Sequence, residues 1–187
     1  HLLLLHKDGS NNPLGYDSAI DRIPFLPYFY VKDLFGLVVF AAFFSFFVIY
    51  APNYLGHPDN YIEADPMVTP PHIVPEWYFL PFYAILRTIP NKLGGVVLMV
   101  LAIVILLFLP VLDSSFVRSC FFKPFHLILF WFFVSDCIML GWVGQEVVET
   151  PFIELSMIIT PLYFLYFLVL IPFFSNLEKA LIREYNK

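Results

Sequence analysis

Four stretches of this chain are long and apolar enough to cross a lipid bilayer, which takes about 20 predominantly apolar residues. They are Leu34–Ala51, Gly94–Leu112, Phe125–Val143 and Leu155–Phe174. Only Phe125–Val143 holds a charge, Asp136, and Leu155–Phe174 carries Pro161. A proline is tolerated in a membrane helix when neighbours re-satisfy the freed carbonyl. Composition agrees: 13% of the 187 residues are charged, against roughly 25% in a soluble domain. Such a chain cannot clothe a soluble core in polar residues. A net charge of −5 without a basic run excludes a phosphate-neutralising nucleic-acid surface. Two cysteines rule out a disulfide framework. The expected fold is all-α, a polytopic membrane bundle of four transmembrane helices.

The chain opens on an apolar run, His1–His6, which reads as the end of a preceding helix. Basic residues orient the rest. Lys7, Arg22, Lys32, Arg118, Lys123, Lys179, Arg183 and Lys187 fall on one side if the spans alternate, and Arg87 and Lys92 on the other. That asymmetry puts both visible ends on the cytoplasmic or matrix side. The fifteen acids split differently: seven inner, seven outer, and Asp136 within a span. The organisation expected is an inner-side segment at 1–33, a membrane domain at 34–174 and an inner-side tail at 175–187.

Between the first two spans, Pro52–Leu93 holds eight of the sixteen prolines and cannot be one helix. A loop of this length is usually functional. Within it, Pro75–Ile89 reads as a short amphipathic element lying along the membrane surface, broken by Pro81 and rich in Trp77, Tyr78, Phe79, Phe82 and Tyr83. Glu76 follows Pro75, a good first helical residue, and so reads either as a charge at a helix N-terminus or as a carboxylate at the mouth of an apolar pocket. On a regular helix Tyr83 would share its face. Spacing leaves the other polar residues equally open. His1 suits a haem ligand or a carbonyl-bonded helix-end histidine, and His6 a solvated surface residue. Asp33 reads as a favourable N-terminal acid on the first span. Asp136 costs about 2.5–3.5 kcal/mol near a helix centre and should face the bundle interior. His57, His72 and His126 show no metal spacing.

Motif order carries the identification. Pro75-Glu76-Trp77-Tyr78 resembles the PEWY signature of the cytochrome b family, the membrane core of respiratory quinol–cytochrome c reductase (complex III). The continuation FLPFYAILRTIPNKLGGV, the opening HLLLLHKDGSNNPLG, VKDLFG before the first span and GHPDNY at Gly56–Tyr61 also match, in the family's order. The resemblance covers essentially the whole chain and is to the C-terminal half. It implies that His1 is an axial ligand of the high-potential haem b, shared with the N-terminal half. It implies that His6, Ser10, Lys32 and Asp33, with Phe25 as an aromatic wall, form an inner-side quinone-reduction site. It implies that Glu76, with Tyr78, Phe79 and Tyr83, forms an outer-side quinol-oxidation site. Ubiquinone, a Rieske iron–sulfur protein, cytochrome c1, the other complex III subunits in a dimeric complex, membrane lipid and the mitochondrial inner membrane, with a bacterial plasma membrane as the alternative setting, follow from the same resemblance. Two alternatives stand beside it: the split subunit IV of a photosynthetic quinol–plastocyanin reductase, expected to have three spans, and a transporter or channel half with Asp136 in its pathway.

Overall fold

Residues that are apolar on every face can only form helices that meet lipid or other helices, and the structure follows that rule. A computed structural model describes residues 1–70, 72–117 and 119–185. Arg118 and Lys187, two of the cations used to orient the chain, lie outside the described residues. Among the described residues there are helices and no strand. Four of the helices are long and apolar enough to span a membrane: Tyr28–Tyr50, Lys92–Leu112, Pro124–Gln145 and Phe152–Glu184. We label the helices α1 (Leu2–Asp8), α2 (Tyr28–Tyr50), α3 (Leu80–Thr88), α4 (Lys92–Leu112), α5 (Pro124–Gln145) and α6 (Phe152–Glu184).

The chain divides into two compact units, Asp17–Pro71 and a second made of His1–Tyr16 with His72–Lys187. The first unit is dominated by α2, none of whose residues is buried. Its phenylalanines pair one turn apart, Phe40 with Phe44 and Phe43 with Phe47, at 6.0 and 5.1 Å between ring centroids. Lys32 and Asp33 lie inside α2, because the helix starts at Tyr28 and its first turn holds no acid. The N-terminal placement expected for Asp33 is therefore corrected.

In the second unit the helix ends follow local chemistry. Asn91 caps α4, its side-chain oxygen accepting from the amides of Leu93 and Gly94. Proline opens α5 at Pro124, where its missing amide hydrogen costs nothing. Pro161 is absorbed within α6, followed by a wider turn at Tyr166–Leu170.

The core forms around α3. Ala84 and Ile85 are fully buried against Ala102 and Ile105 of α4, Leu140 and Val143 of α5, and Ile159 and Tyr163 of α6. Two glycines allow that approach. A Cβ on Gly95 would collide with the Leu86 carbonyl oxygen, and one on Gly144 with that of Leu80. Polar contacts complete the seat. The Thr88 hydroxyl meets that of Thr160 at 2.8 Å, and the Tyr163 hydroxyl donates to the Ala102 carbonyl at 2.9 Å. Pro75–Ile89 thus divides in two. Trp77–Phe79 is an exposed single turn, while Leu80–Thr88 is docked among the long helices rather than lying along a surface. Pro81 does not break a helix; it sits in the first turn of α3.

Candidate functional site

The outer loop ends in a segment fastened to one end of α5. The last carbonyls of a helix have no partner within it, and two cationic or imidazole side chains take those of α5. The guanidinium of Arg87, in the last turn of α3, donates to Val143 O at 2.8 Å and to Glu146 O at 2.9 Å. The His72 ring nitrogen Nε2 lies 2.9 Å from Gln145 O. Arg87 also sits 4.9 Å from the centroid of the Tyr83 ring, at cation–π range. The Tyr83 hydroxyl in turn donates to the Ile73 carbonyl at 3.4 Å, a long bond. Helix end, arginine, tyrosine and loop backbone therefore form one continuous support.

Glu76 stands at the free side of that support. Its backbone is extended, it caps the single turn Trp77–Phe79, and its side chain makes no capping hydrogen bond. Pro75 lies outside any helix, so the reading of Glu76 as the second residue of a regular helix is corrected. For the same reason no regular helix joins Glu76 to Tyr83. Glu76 is exposed, as are Trp77, Tyr78 and Phe79. The Tyr78 and Phe79 rings lean on each other, 5.0 Å between centroids. A carboxylate that among the described residues has no capping bond, set beside exposed aromatic faces, can accept a proton from a flat, hydroxyl-bearing ligand while the rings hold its body.

The residues expected at the inner site fall in the two units. His6 lies in α1 and Ser10 just beyond it, both exposed. Phe25, Lys32 and Asp33 belong to the other unit and are also exposed. Phe25 stacks on Phe29 at 6.1 Å. His1 caps α1 without a side-chain hydrogen bond, next to exposed Leu2, Leu3 and Leu4. An exposed imidazole beside an apolar helix suits an apolar macrocycle whose metal needs a nitrogen donor.

Asp136 is buried in α5, as its position in a span required. Among the described residues its Oδ2 has no hydrogen-bond partner. It lines a cavity of about 170 Å³ with Phe132, Ser135, Met139, Ile159 and Leu162. Cys120 and Cys137 are free thiols. Among the described residues no group of three or more His, Cys, Asp or Glu side chains is arranged to hold a metal ion. Sequence reading missed Arg87 and His72 as anchors. The signal available was that Arg87 is one of two Lys or Arg residues in the acid-rich stretch Pro52–Leu93.

Comparison with known proteins fits this arrangement. Residues 63–164, which include the outer-loop segment and most of the bundle, match the family model described as "Cytochrome b(C-terminal)/b6/petD". The chain is 56% identical over 182 residues to a cytochrome b of Chondrus crispus, covering 97% of this chain and 48% of that one. It is 54% identical over 183 residues to a cytochrome b of Rickettsia prowazekii (strain Madrid E), covering 97% and 46%. A solved structure titled "Hyperthermophilic respiratory Complex III" superposes with a TM-score of 0.86 at 32% identity, covering 96% of this chain and 47% of that one. The chain spans about half the length of the relatives it matches. With a family model over more than half of its residues and relatives above 50% identity along nearly all of them, the chain belongs to the cytochrome b family.

Proposed function

We propose that this chain is the C-terminal part of the cytochrome b subunit of a proton-translocating quinol–cytochrome c reductase. On this reading it oxidises quinol at the outer side beside Glu76 and reduces quinone at the inner side beside His6 and Asp33. The observation that carries the reading is Glu76 itself, an exposed carboxylate on a loop anchored to α5 and flanked by exposed Tyr78 and Phe79.

At the outer site the Glu76 carboxylate accepts a proton from the quinol hydroxyl and passes it to outer water. The Tyr78 and Phe79 rings hold the quinol head. Tyr83, fixed by Arg87 and the Ile73 carbonyl, borders the same loop and orients the hydroxyl. One electron leaves to a Rieske iron–sulfur partner, and the other goes toward the inner side. There His6 and Asp33, with Lys32 and Ser10, supply protons drawn from inside, and Phe25 walls the quinone ring. A histidine and a carboxylate suit that task because either can be tuned to titrate near neutrality. His1 would hold a b-type haem together with the N-terminal half of the protein, and that haem supplies one-electron carriage when bound. The remaining partners are cytochrome c1 and the other subunits of a dimeric complex. The setting is the mitochondrial inner membrane, multi-pass, with both visible ends on the matrix side.

A split subunit of a photosynthetic quinol–plastocyanin reductase is the second reading, since the matching family description also names petD. Four spans and the α1 segment favour the respiratory form over a three-span subunit. A transporter half would need paired interrupted spans around Asp136, whereas Pro161 is accommodated within a continuous α6.

The test is spectroscopic and kinetic. The complex holding this chain should give the reduced-minus-oxidised bands of b-type haem; a complex without them sinks the proposal. Glu76→Gln should slow quinol oxidation by about 10²-fold, the lower end of a general-base contribution. Haem reduction through the inner site should persist, and equal loss at both sites would count against Glu76 as the outer proton acceptor.

A further inference from the structure

Four side chains near the inner ends of α4, α5 and α6 form a connected series that the mechanism above does not use. Asp113 follows the last turn of α4 and is exposed. The Ser175 hydroxyl, fully buried in α6, donates to Asp113 Oδ1 at 2.8 Å. With the serine proton committed there, Ser175 Oγ accepts from His126 Nε2, 3.2 Å away in the first turn of α5. Nδ1 of the same ring lies 2.8 Å from Glu178 Oε2, with 10% and 7% of the two side chains exposed. That contact lacks the alignment of an imidazole N–H donor. Among the described residues both Glu178 oxygens and His126 Nδ1 are left without a hydrogen bond.

A buried carboxylate costs several kcal/mol unless it is paired and hydrogen-bonded or takes up a proton. Glu178 has a close imidazole and no hydrogen bond, so a shared proton is the chemistry that satisfies it. With the tautomer set by Ser175, Nδ1 is the bare nitrogen of a neutral His126, and the proton between Nδ1 and Oε2 can reside on either. The exposed end is tuned oppositely. Burial raises the Asp113 carboxyl, but the Ser115 amide, the Ser175 hydroxyl and the charge of Lys123 hold it below its ordinary value. The charged groups bordering the series are the buried Lys123, just before α5, and Lys179 in α6, whose ammonium lies 4.7 Å from the centre of the Phe116 ring. The same unit contains His6, and the Ser119 hydroxyl in the loop after Asp113 donates to the carbonyl of Pro13, close in sequence to Ser10.

We propose that Asp113, Ser175, His126 and Glu178 form a proton relay that takes protons from inner water at Asp113 and stores one at Glu178 for the inner quinone-reduction site. The proposal rests on the functional reading above. The arrangement described is the end of an inward step. The step starts with the Ser175 hydroxyl turned toward His126 Nε2 and the ring proton on Nδ1. A proton on Asp113 Oδ1 passes to Ser175 Oγ as the serine's own proton moves to Nε2 and the Nδ1 proton moves to Glu178 Oε2. Serine and imidazole each gain one proton as they lose one, no electron changes hands, and both turn back once Glu178 has given up its proton. The four are positioning residues for proton supply and do not touch the quinone.

The experiment uses the intact complex with its b haem reduced beforehand and the outer site blocked. It follows haem oxidation by added ubiquinone through the inner site, a reaction that takes up protons, between about pH 6 and pH 8, the range in which a histidine changes charge. Ser175→Ala, His126→Gln and Glu178→Gln should each slow that reaction about tenfold at the alkaline end and hardly at the acid end, where solvent protons are plentiful. Ser175→Thr, which keeps the hydroxyl, should restore the wild-type profile. Quinol oxidation at the outer site should not change. A wild-type pH profile in variants with normal haem content overturns the relay, and so does an equal loss at every pH, the mark of a structural role. Should the buried substitutions prevent assembly, Asp113→Asn at the exposed end supplies the same comparison. A wild-type complex with no inner-site reaction overturns the relay and the functional reading together, which separates the two failures.

Discussion

Asp33 carries its charge where α2 gives it no electrostatic return, because the macrodipole acts within the first turn and Asp33 lies beyond it. The helix dipole therefore gives no account of a carboxylate at that position. Glu76 makes the same point from the other side, since its extended backbone removes the helical environment that its spacing suggests. Arg87 is the residue that spacing could not reveal. Its partners lie 56 and 59 positions away in sequence, and nothing local to LRTIP announces them. Arg87→Gln should destabilise the outer loop by about 1.5–3 kcal/mol, the worth of hydrogen bonds made by a charged group. The measurement is a lowered Tm for the complex together with a raised KM for quinol oxidation. Asp113 gives a pH-dependent case. Its folded carboxyl titrates below its ordinary value of 3.8, so its stabilising contribution is fully present above that value. It is lost as pH falls below 3.8 through the lower folded value. Stability measured against pH should therefore lose part of its acid-side decline in Asp113→Asn.

At the scale of the elements, helix seating depends on what is missing from side chains. Gly95 and Gly144 let α3 come within backbone contact of α4 and α5, and a bulkier residue at either place must push a carbonyl aside. Gly144→Ala should cost about 1–3 kcal/mol as overpacking, read as a lower unfolding temperature of the assembled complex. Gly141 is a control in the same helix, because a Cβ there would meet only the Pro81 ring carbon at an ordinary 3.9 Å. Gly141→Ala should leave stability nearly unchanged. The four spans are legible in the amino-acid sequence, because an uninterrupted apolar run has few physical outcomes. Their ends are less so. The first span gains Tyr28–Asp33 because an aromatic turn with one ion pair's worth of charge still satisfies its backbone as helix. The last grows to Phe152–Glu184, since Pro161 is accommodated and the polar residues after Phe174 keep an amphipathic face. Pro75–Ile89 is legible as two kinds of residue, aromatic and aliphatic, but not as two elements. The deciding fact, a pair of glycines on other helices, lies outside the segment.

For the molecule as a whole, the charge pattern makes a testable statement about sidedness. Arg87 and Lys92 sit on the face opposite Lys32, Lys123, Lys179 and Arg183 if the spans alternate. A membrane-impermeant thiol reagent should label Glu63→Cys from the outer side and Lys179→Cys from the inner side of sealed vesicles. Labelling of both from one side would overturn the topology and, with it, the separation of the two quinone sites. The ordered motifs identified the family where composition and periodicity stopped at a membrane bundle. The roles proposed for His1, His6 and Glu76 rest on that order alone, because their individual spacings suit ordinary helix ends equally well.

The tight seat of α3 has a consequence in time as well as in space. Backbone in contact with backbone cannot loosen by a change of rotamer, so the amides of Ala84–Thr88 should exchange their hydrogens with solvent only when the whole bundle opens. Those of Trp77–Phe79, a few residues upstream and exposed, should exchange through local fraying. A steep boundary in exchange protection is expected at Leu80, so that the segment bearing Glu76 can change shape while its foundation keeps still.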